Sequence, residues 1–286
     1  MIDLEKAEKL PPEYRYCNIS VFWIFYYRWI LKLLYVLRIP HEIVTLLSIA
    51  SGLLAAYLIY ERQFIMAAIA LHLKDIFDAC DGALARLTGR GHLFGRYLDS
   101  LGDFVALTVV MLAIGLSASP NMLITYVSWA IIAIVSTFIQ CSYFNYYQLA
   151  YLDRYGIDRL LSKKDERSRD DVNFEHYGLI GRIFLHLLRF LYAIIYGWQD
   201  NFIAVLDRQL IAISGCRDLT KWYGDKTMMV VQSALCFGTH IFIIIIFTLI
   251  RKPEWGLIFI GTIMNFYMFY LMRHRTRRFR KSHSDV

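Results

Sequence analysis

Charge is scarce in this chain: 19% of its 286 residues are Asp, Glu, Lys or Arg, against 57% that are hydrophobic. The apolar residues fall in long blocks rather than short alternating runs, the pattern of a polytopic membrane protein. Cysteine is sparse and unpatterned. Cys17, Cys80, Cys141, Cys216 and Cys236 are odd in number and lack ligand spacing, which argues against a disulfide framework and a zinc site. Residues 1–20 lack the basic start and apolar core of a signal peptide. The net charge of +7 does not imply nucleic acid, because the basic residues gather beside apolar spans, where topology and anionic headgroups favour them. There is no internal repeat and no second domain independent of the membrane.

What is present is a series of spans. Residues 21–40 are apolar but carry Arg28, Lys32 and Arg38 among Trp and Tyr, which suits an interfacial helix better than a first crossing. After Pro40, His41–Tyr60 is long enough to cross, since about 20 residues cover the ~30 Å hydrocarbon core. A second span starts at Phe64, a third covers Phe94–Leu116 and a fourth Met122–Gln148. Residues 149–225 form an insert that includes the charged run Asp158–Asp171. Within it, Leu179–Trp198 places Arg182, His186 and Arg189 on one face and reads as an amphipathic surface helix. Phe202–Ile213, with Asp207 and Arg208, is too short to cross. Thr227–Ile250 and Trp255–Met272 supply spans five and six.

The expected architecture is therefore all-α, a polytopic membrane protein with six transmembrane helices plus amphipathic interfacial helices. Its regions are an N-terminal part (1–40), spans one to four with an acidic hairpin at 74–103 (41–148), the insert (149–225), the last two spans (226–272) and a basic tail (273–286). Of the 31 Lys and Arg residues, 27 fall on the side of the hairpin, insert and tail. Only Arg62, Arg251 and Lys252 fall on the other, so the positive-inside rule puts the hairpin mouth in the cytoplasm.

The hairpin holds the anomaly. Each ionised residue at depth costs roughly 2.5–3.5 kcal/mol even on lenient insertion scales. Asp78 and Asp81 precede the turn at i,i+3, and Asp99 and Asp103 follow it at i,i+4, so each pair shares a helix face. Counting outward from Arg90 sets Asp81 opposite Asp99 and Asp78 opposite Asp103. Four carboxylates facing one another repel unless cations sit among them, and hard oxygen ligands suit two Mg²⁺ or Mn²⁺ ions holding a phosphate or pyrophosphate. Gly82, Gly95 and Gly102 remove side chains where a ligand or a facing backbone must come close; helix packing alone explains them equally well. Arg86 suits a bidentate phosphate contact or a topology anchor. Lys74 reads either as a phosphate contact or as a partner of Asp75 or Asp78. Lone His72 and His240, like Asn145, Gln148 and Asn265, read as interior hydrogen-bonding groups.

Together, Asp78, Asp81, Gly82, Ala85, Arg86, Gly95, Asp99 and Asp103 satisfy the pattern D-x2-D-G-x2-A-R-x8-G-x3-D-x3-D without a gap. This resembles the signature of the CDP-alcohol phosphotransferase (CDP-alcohol phosphatidyltransferase) family. Thr45 and Ser48 are similar to its first-span pattern, with His41 and Glu42 in place of the usual Pro-Asn. The resemblance implies a six-helix membrane enzyme of phospholipid synthesis, usually a homodimer; the expected location is the plasma (inner) membrane. It implies transfer of a substituted phosphate from a CDP-linked donor, foremost CDP-diacylglycerol, to an alcohol acceptor with release of CMP. On the matching positions, Asp78, Asp81, Asp99 and Asp103 bind two divalent cations (Mg²⁺ or Mn²⁺). Asp78, Asp81, Gly82, Ala85, Arg86 and Gly95 form the CDP site, and Asp103 takes the acceptor proton. An intramembrane prenyltransferase is the nearest rival and usually shows two acidic motifs where this chain has one. A cation transporter gives no reason for Arg86 or for acids gathered toward one mouth.

Overall fold

The computed structural model describes residues 4–8, 10–89, 93–155 and 178–281, and every regular element among them is helical. Among the described residues, four helical stretches are long and apolar enough to cross a membrane: His41–Tyr60, Phe94–Leu116, Pro120–Arg154 and Pro253–Arg280. A fifth is reached if Lys226–Leu235 and Phe237–Leu249 make one broken span. This is a polytopic helical membrane protein. The helix Phe64–Thr88 has 25 residues but carries Lys74, Asp75, Asp78 and Asp81, so composition alone does not mark it as a span.

The chain divides into two compact units. The first comprises Met1–Pro11, Ser20–Thr137 and Phe237–Ile263. Its first helix, α1 (Tyr27–Val36), follows a 3-10 turn at Ile19–Ile24 and is shorter than the surface helix expected over 21–40. Arg38 ends it in the left-handed region (φ 56°), which turns the Ile39 amide back onto the Leu34 carbonyl at 3.1 Å. Leu31 and Leu34 are buried while Phe22, Phe25, Trp29 and Val36 are exposed, an apolar outer face that fits a headgroup region.

Pro40, extended and without an amide hydrogen, opens α2 (His41–Tyr60), and its carbonyl accepts from the Ile43 amide at 3.1 Å. Arg62 (φ 57°) reverses the chain into α3 (Phe64–Thr88) and donates from Nη2 to Ser117 O at 3.0 Å. Gly89 (φ 64°) closes α3, a conformation that costs a non-glycine residue roughly 1–2 kcal/mol. The tip of the expected turn, 90–92, lies outside the described residues. The chain returns as α4 (Leu93–Leu116), and α2 packs against both α3 and α4. That approach depends on missing side chains. A Cβ on Gly102 would collide with the Ile49 side chain, and one on Gly52 would stand 2.8 Å from Ala106 Cβ.

The second unit comprises Pro12–Ile19, Phe138–Cys236 and Met264–Val286. The fourth expected span is the helix α5 (Leu123–Arg154), which runs six residues past Gln148. Residues 156–177, including the charged run Asp158–Asp171, lie outside the described residues. The structure then corrects the expectation of two elements at 179–198 and 202–213: α6 is a single 36-residue helix, Leu179–Ser214. The polar step Gln199-Asp200-Asn201 does not break it, because Gln199 Nε2 donates to Ile195 O at 2.7 Å and its Oε1 accepts from Ser142 Oγ at 2.7 Å. Short helices α7 (Leu219–Gly224) and α8 (Lys226–Gln232) follow, capped by Asp218 and Asp225.

The fifth expected span is likewise not one continuous helix. After α8 a 3-10 turn, Ser233–Leu235, leads to an extended Cys236 before α9 (Phe237–Leu249). Ser233 Oγ donates to Val230 O at 2.7 Å and accepts from the Ile19 amide at 3.0 Å, an alternative to helical continuation. The last stretch runs through α10 (Pro253–Phe259), a π-turn at Ile260–Met264 and α11 (Asn265–Lys281), so that the basic segment after Met272 continues the helix as far as Lys281.

Candidate active site

The site is built on α3 and α4 in the first unit. Asp78, from α3, meets Asp99 and Asp103, one turn apart on α4, with one carboxylate oxygen of each within 4.8 Å of the others. Three acids that close, on helices flanked by apolar surface, form a donor set for a hard divalent cation. Asp81 is held beside this trio by other partners. Thr45 Oγ1 donates to its Oδ2 at 2.7 Å, and the Gly82 amide donates to its Oδ1. Asp81 is 4% exposed, and those two donors satisfy its carboxylate from α2 and from its own helix.

The other expected residues surround the acids. Gly82 faces open space apart from Arg86, whose Nη1 would lie 3.4 Å from a Cβ at position 82. Gly102, by contrast, is occupied with Ile49 and serves helix packing. Ala85 is half-buried on the same helix, and Gly95 is buried on α4. Arg86 is exposed, and its Nε donates to the Ala7 carbonyl at 2.8 Å, which ties the N-terminal turn Leu4–Ala7 to α3. Glu8, next in the chain, pairs with Arg28.

Lys74 occupies a position that spacing alone leaves open. Its ammonium pairs with Asp103 across the helix interface and lies 3.8 Å from Asp78 Oδ1, so two of the three converging acids share it. Asp75, the other acid beside it, is served instead by Trp23 Nε1 at 2.9 Å, and the Trp23 ring stacks on Phe242 at 4.1 Å. His72 bonds the Tyr26 hydroxyl. The Asp78 contact lies at i,i+4 on the same helix and was readable from spacing, whereas Asp103, Trp23 and Tyr26 come from other helices or turns and were not.

The second unit contains a buried polar centre that sequence reasoning missed. Asp207 on α6 is 1% exposed and accepts four bonds. Tyr147 Oη (2.6 Å) and Trp222 Nε1 (2.9 Å) donate to its Oδ1, and Tyr223 Oη (2.6 Å) and Tyr146 Oη (3.2 Å) to its Oδ2. Arg275 is buried near the same rings, 3.8 Å from the Tyr147 ring centre, with Nη2 donating to Gln232 Oε1 at 2.9 Å. The available signal was the cluster of Tyr143, Tyr146 and Tyr147 together with an acid, Asp207, in the mostly apolar stretch Phe202–Ile213. Gln148 bonds Tyr16, and Gln140 donates to Asn265 Oδ1 at 2.8 Å, so these amides have interior roles.

Helices of membrane length, with acids of two adjacent helices gathered around one point, define an integral membrane protein with a carboxylate cluster that could hold a divalent cation. Residues 38–157 match the family model of CDP-alcohol phosphatidyltransferase, and the acidic trio lies inside the matched segment. The family uses divalent metals, and the trio is a donor set of that kind. An archaetidylinositol phosphate synthase of Pyrococcus horikoshii is 34% identical over 89 residues, which are 31% of this chain and 47% of that protein. An archaetidylserine synthase of Methanothermobacter thermautotrophicus is 36% identical over 70 residues, 24% of this chain and 30% of that protein. The chain thus spans half or less of the length of these relatives. No solved structure matches it.

Proposed function

We propose that this protein is a phosphotransferase of phospholipid synthesis that moves a substituted phosphate from a CDP-linked donor, foremost CDP-diacylglycerol, to an alcohol, with release of CMP. The observation that carries this reading is the convergence of Asp78, Asp99 and Asp103 within 4.8 Å, inside the matched family domain. Both relatives are synthases of archaetidyl products, which supports a lipid product. A prenyltransferase or a transporter is not favoured by any of these comparisons.

In the proposed reaction the acceptor oxygen forms a bond to the phosphorus that bears the transferred group. The bond from that phosphorus to the CMP oxygen breaks, and CMP leaves with the electron pair. An alcohol is a poor nucleophile at neutral pH, and a carboxylate within hydrogen-bond reach, here Asp103, removes its proton as attack proceeds. Lys74 engages Oδ1 of Asp103, which leaves Oδ2 for that proton. Asp78, Asp99 and Asp103, with Asp81, would hold Mg²⁺ or Mn²⁺, which supplies positive charge to the phosphate oxygens when bound. Arg86, with Gly82 and Ala85 on α3 and Gly95 on α4, would receive the cytidine diphosphate part.

The Lys and Arg asymmetry supports a cytoplasmic mouth in the plasma (inner) membrane, where a soluble nucleotide can meet a lipid tail. A homodimer is the assembly that the family resemblance supports. The test is to purify the protein with Mn²⁺ or Mg²⁺, offer CDP-diacylglycerol with a panel of alcohols, and follow CMP and lipid mass. Turnover that needs neither cation nor Asp103, or labelling from a prenyl diphosphate instead, contradicts the proposal.

A further inference from the structure

We propose that Lys74 is the built-in counter-ion of the acidic site, a positioning residue that fixes Asp103 in the cation-free protein and competes with the incoming divalent ion. The inference rests on reading the acids as a cation site.

The seat of the lysine is built from three helices. Its side chain is 2% exposed, its main-chain carbonyl accepts from Ser48 Oγ at 3.1 Å, and its stem passes Gly52, where an added Cβ would stand 3.5 Å from Lys74 Cγ. The ammonium lies 4.9 Å from the centre of the Phe237 ring and points to Asp103 and Asp78. A flexible surface lysine is not held in this way. Its ordering by α2, α9 and α4 places one positive charge at a fixed point among the acids.

Charge then sets the direction of the effect. Asp78, Asp99 and Asp103 repel one another in poor solvent, and one ammonium offsets only part of that repulsion. The site therefore keeps a net attraction for a divalent ion while it remains folded without one. An ion that ligates Asp103 and Asp78 must take oxygen coordination now shared with Nζ. The lysine thus weakens cation binding and stabilises the cation-free state.

The test uses the full chain in detergent, purified with Mn²⁺, and compares wild type with Lys74→Met and Lys74→Gln. Mn²⁺ binding is followed by electron paramagnetic resonance, and thermal unfolding is measured in EDTA and at saturating Mn²⁺. Both variants are expected to bind Mn²⁺ at least tenfold more tightly than wild type. In EDTA they should melt below wild type, with the gap shrinking when Mn²⁺ is added. Unchanged or weaker Mn²⁺ affinity overturns the inference, as does failure of both variants to fold even with Mn²⁺ saturating. A wild-type protein that binds no Mn²⁺ overturns instead the cation-site reading on which it rests.

Discussion

Gly82 and Gly102 lie on the two helices of the acidic hairpin, yet a methyl group is expected to act differently on each. At position 102 the new Cβ collides with Ile49, and overpacking of that kind costs typically about 1–3 kcal/mol. Gly102→Ala should therefore melt at a lower temperature, and adding Ile49→Ala should return part of the loss. At position 82 the new Cβ meets only the end of the flexible Arg86 side chain at 3.4 Å. Gly82→Ala should keep the wild-type melting temperature while raising the KM for the CDP-linked donor. Equal loss of stability in both variants contradicts the assignment of one glycine to packing and the other to the substrate face.

Among the helices, Asp207 is the joint that binds α5, α6 and α7, through Tyr146 and Tyr147 on the first and Trp222 and Tyr223 on the third. Removal of the acceptor strands up to four donors, and each unsatisfied buried group costs about 1–3 kcal/mol. Asp207→Ala is expected to lower the melting temperature far more than Asp207→Asn. The asparagine oxygen can still accept from Trp222, and the tyrosine hydroxyls can rotate to accept from its amide. Comparable melting of the two variants contradicts this role. Helices of this kind were legible from length and apolarity where a Pro or a short polar loop ended them, as at Pro40 and Tyr60. Continuity through Gln199 was not, because it depends on a bond from Ser142 on another helix. The break before Phe237 was equally hidden, since the Ser233 hydroxyl is engaged by Ile19. The acids could be read because charge in an apolar helix is costly and therefore conspicuous. The Lys74–Asp78 pair follows from i,i+4 spacing, but the pairing of Lys74 with Asp103 and of Asp75 with Trp23 depends on which elements approach, and spacing along one helix carries no such information.

For the whole molecule, the six-span reading of the sequence, which sets 27 of the 31 Lys and Arg residues on one side, makes orientation testable. In a cysteine-free background, a thiol at Ser119→Cys should react with an impermeant reagent in intact cells, and one at Arg273→Cys only after permeabilisation. The reverse pattern contradicts a cytoplasmic mouth. Function turns on a different measurement: CMP released by purified protein from CDP-diacylglycerol with alcohols, or from a soluble CDP-alcohol with diacylglycerol. Wild type should release CMP only with Mn²⁺ or Mg²⁺, and Asp103→Asn should be slower by about 10²–10⁴-fold, the usual contribution of a general base. CMP release that persists in EDTA or is undiminished in Asp103→Asn contradicts the account.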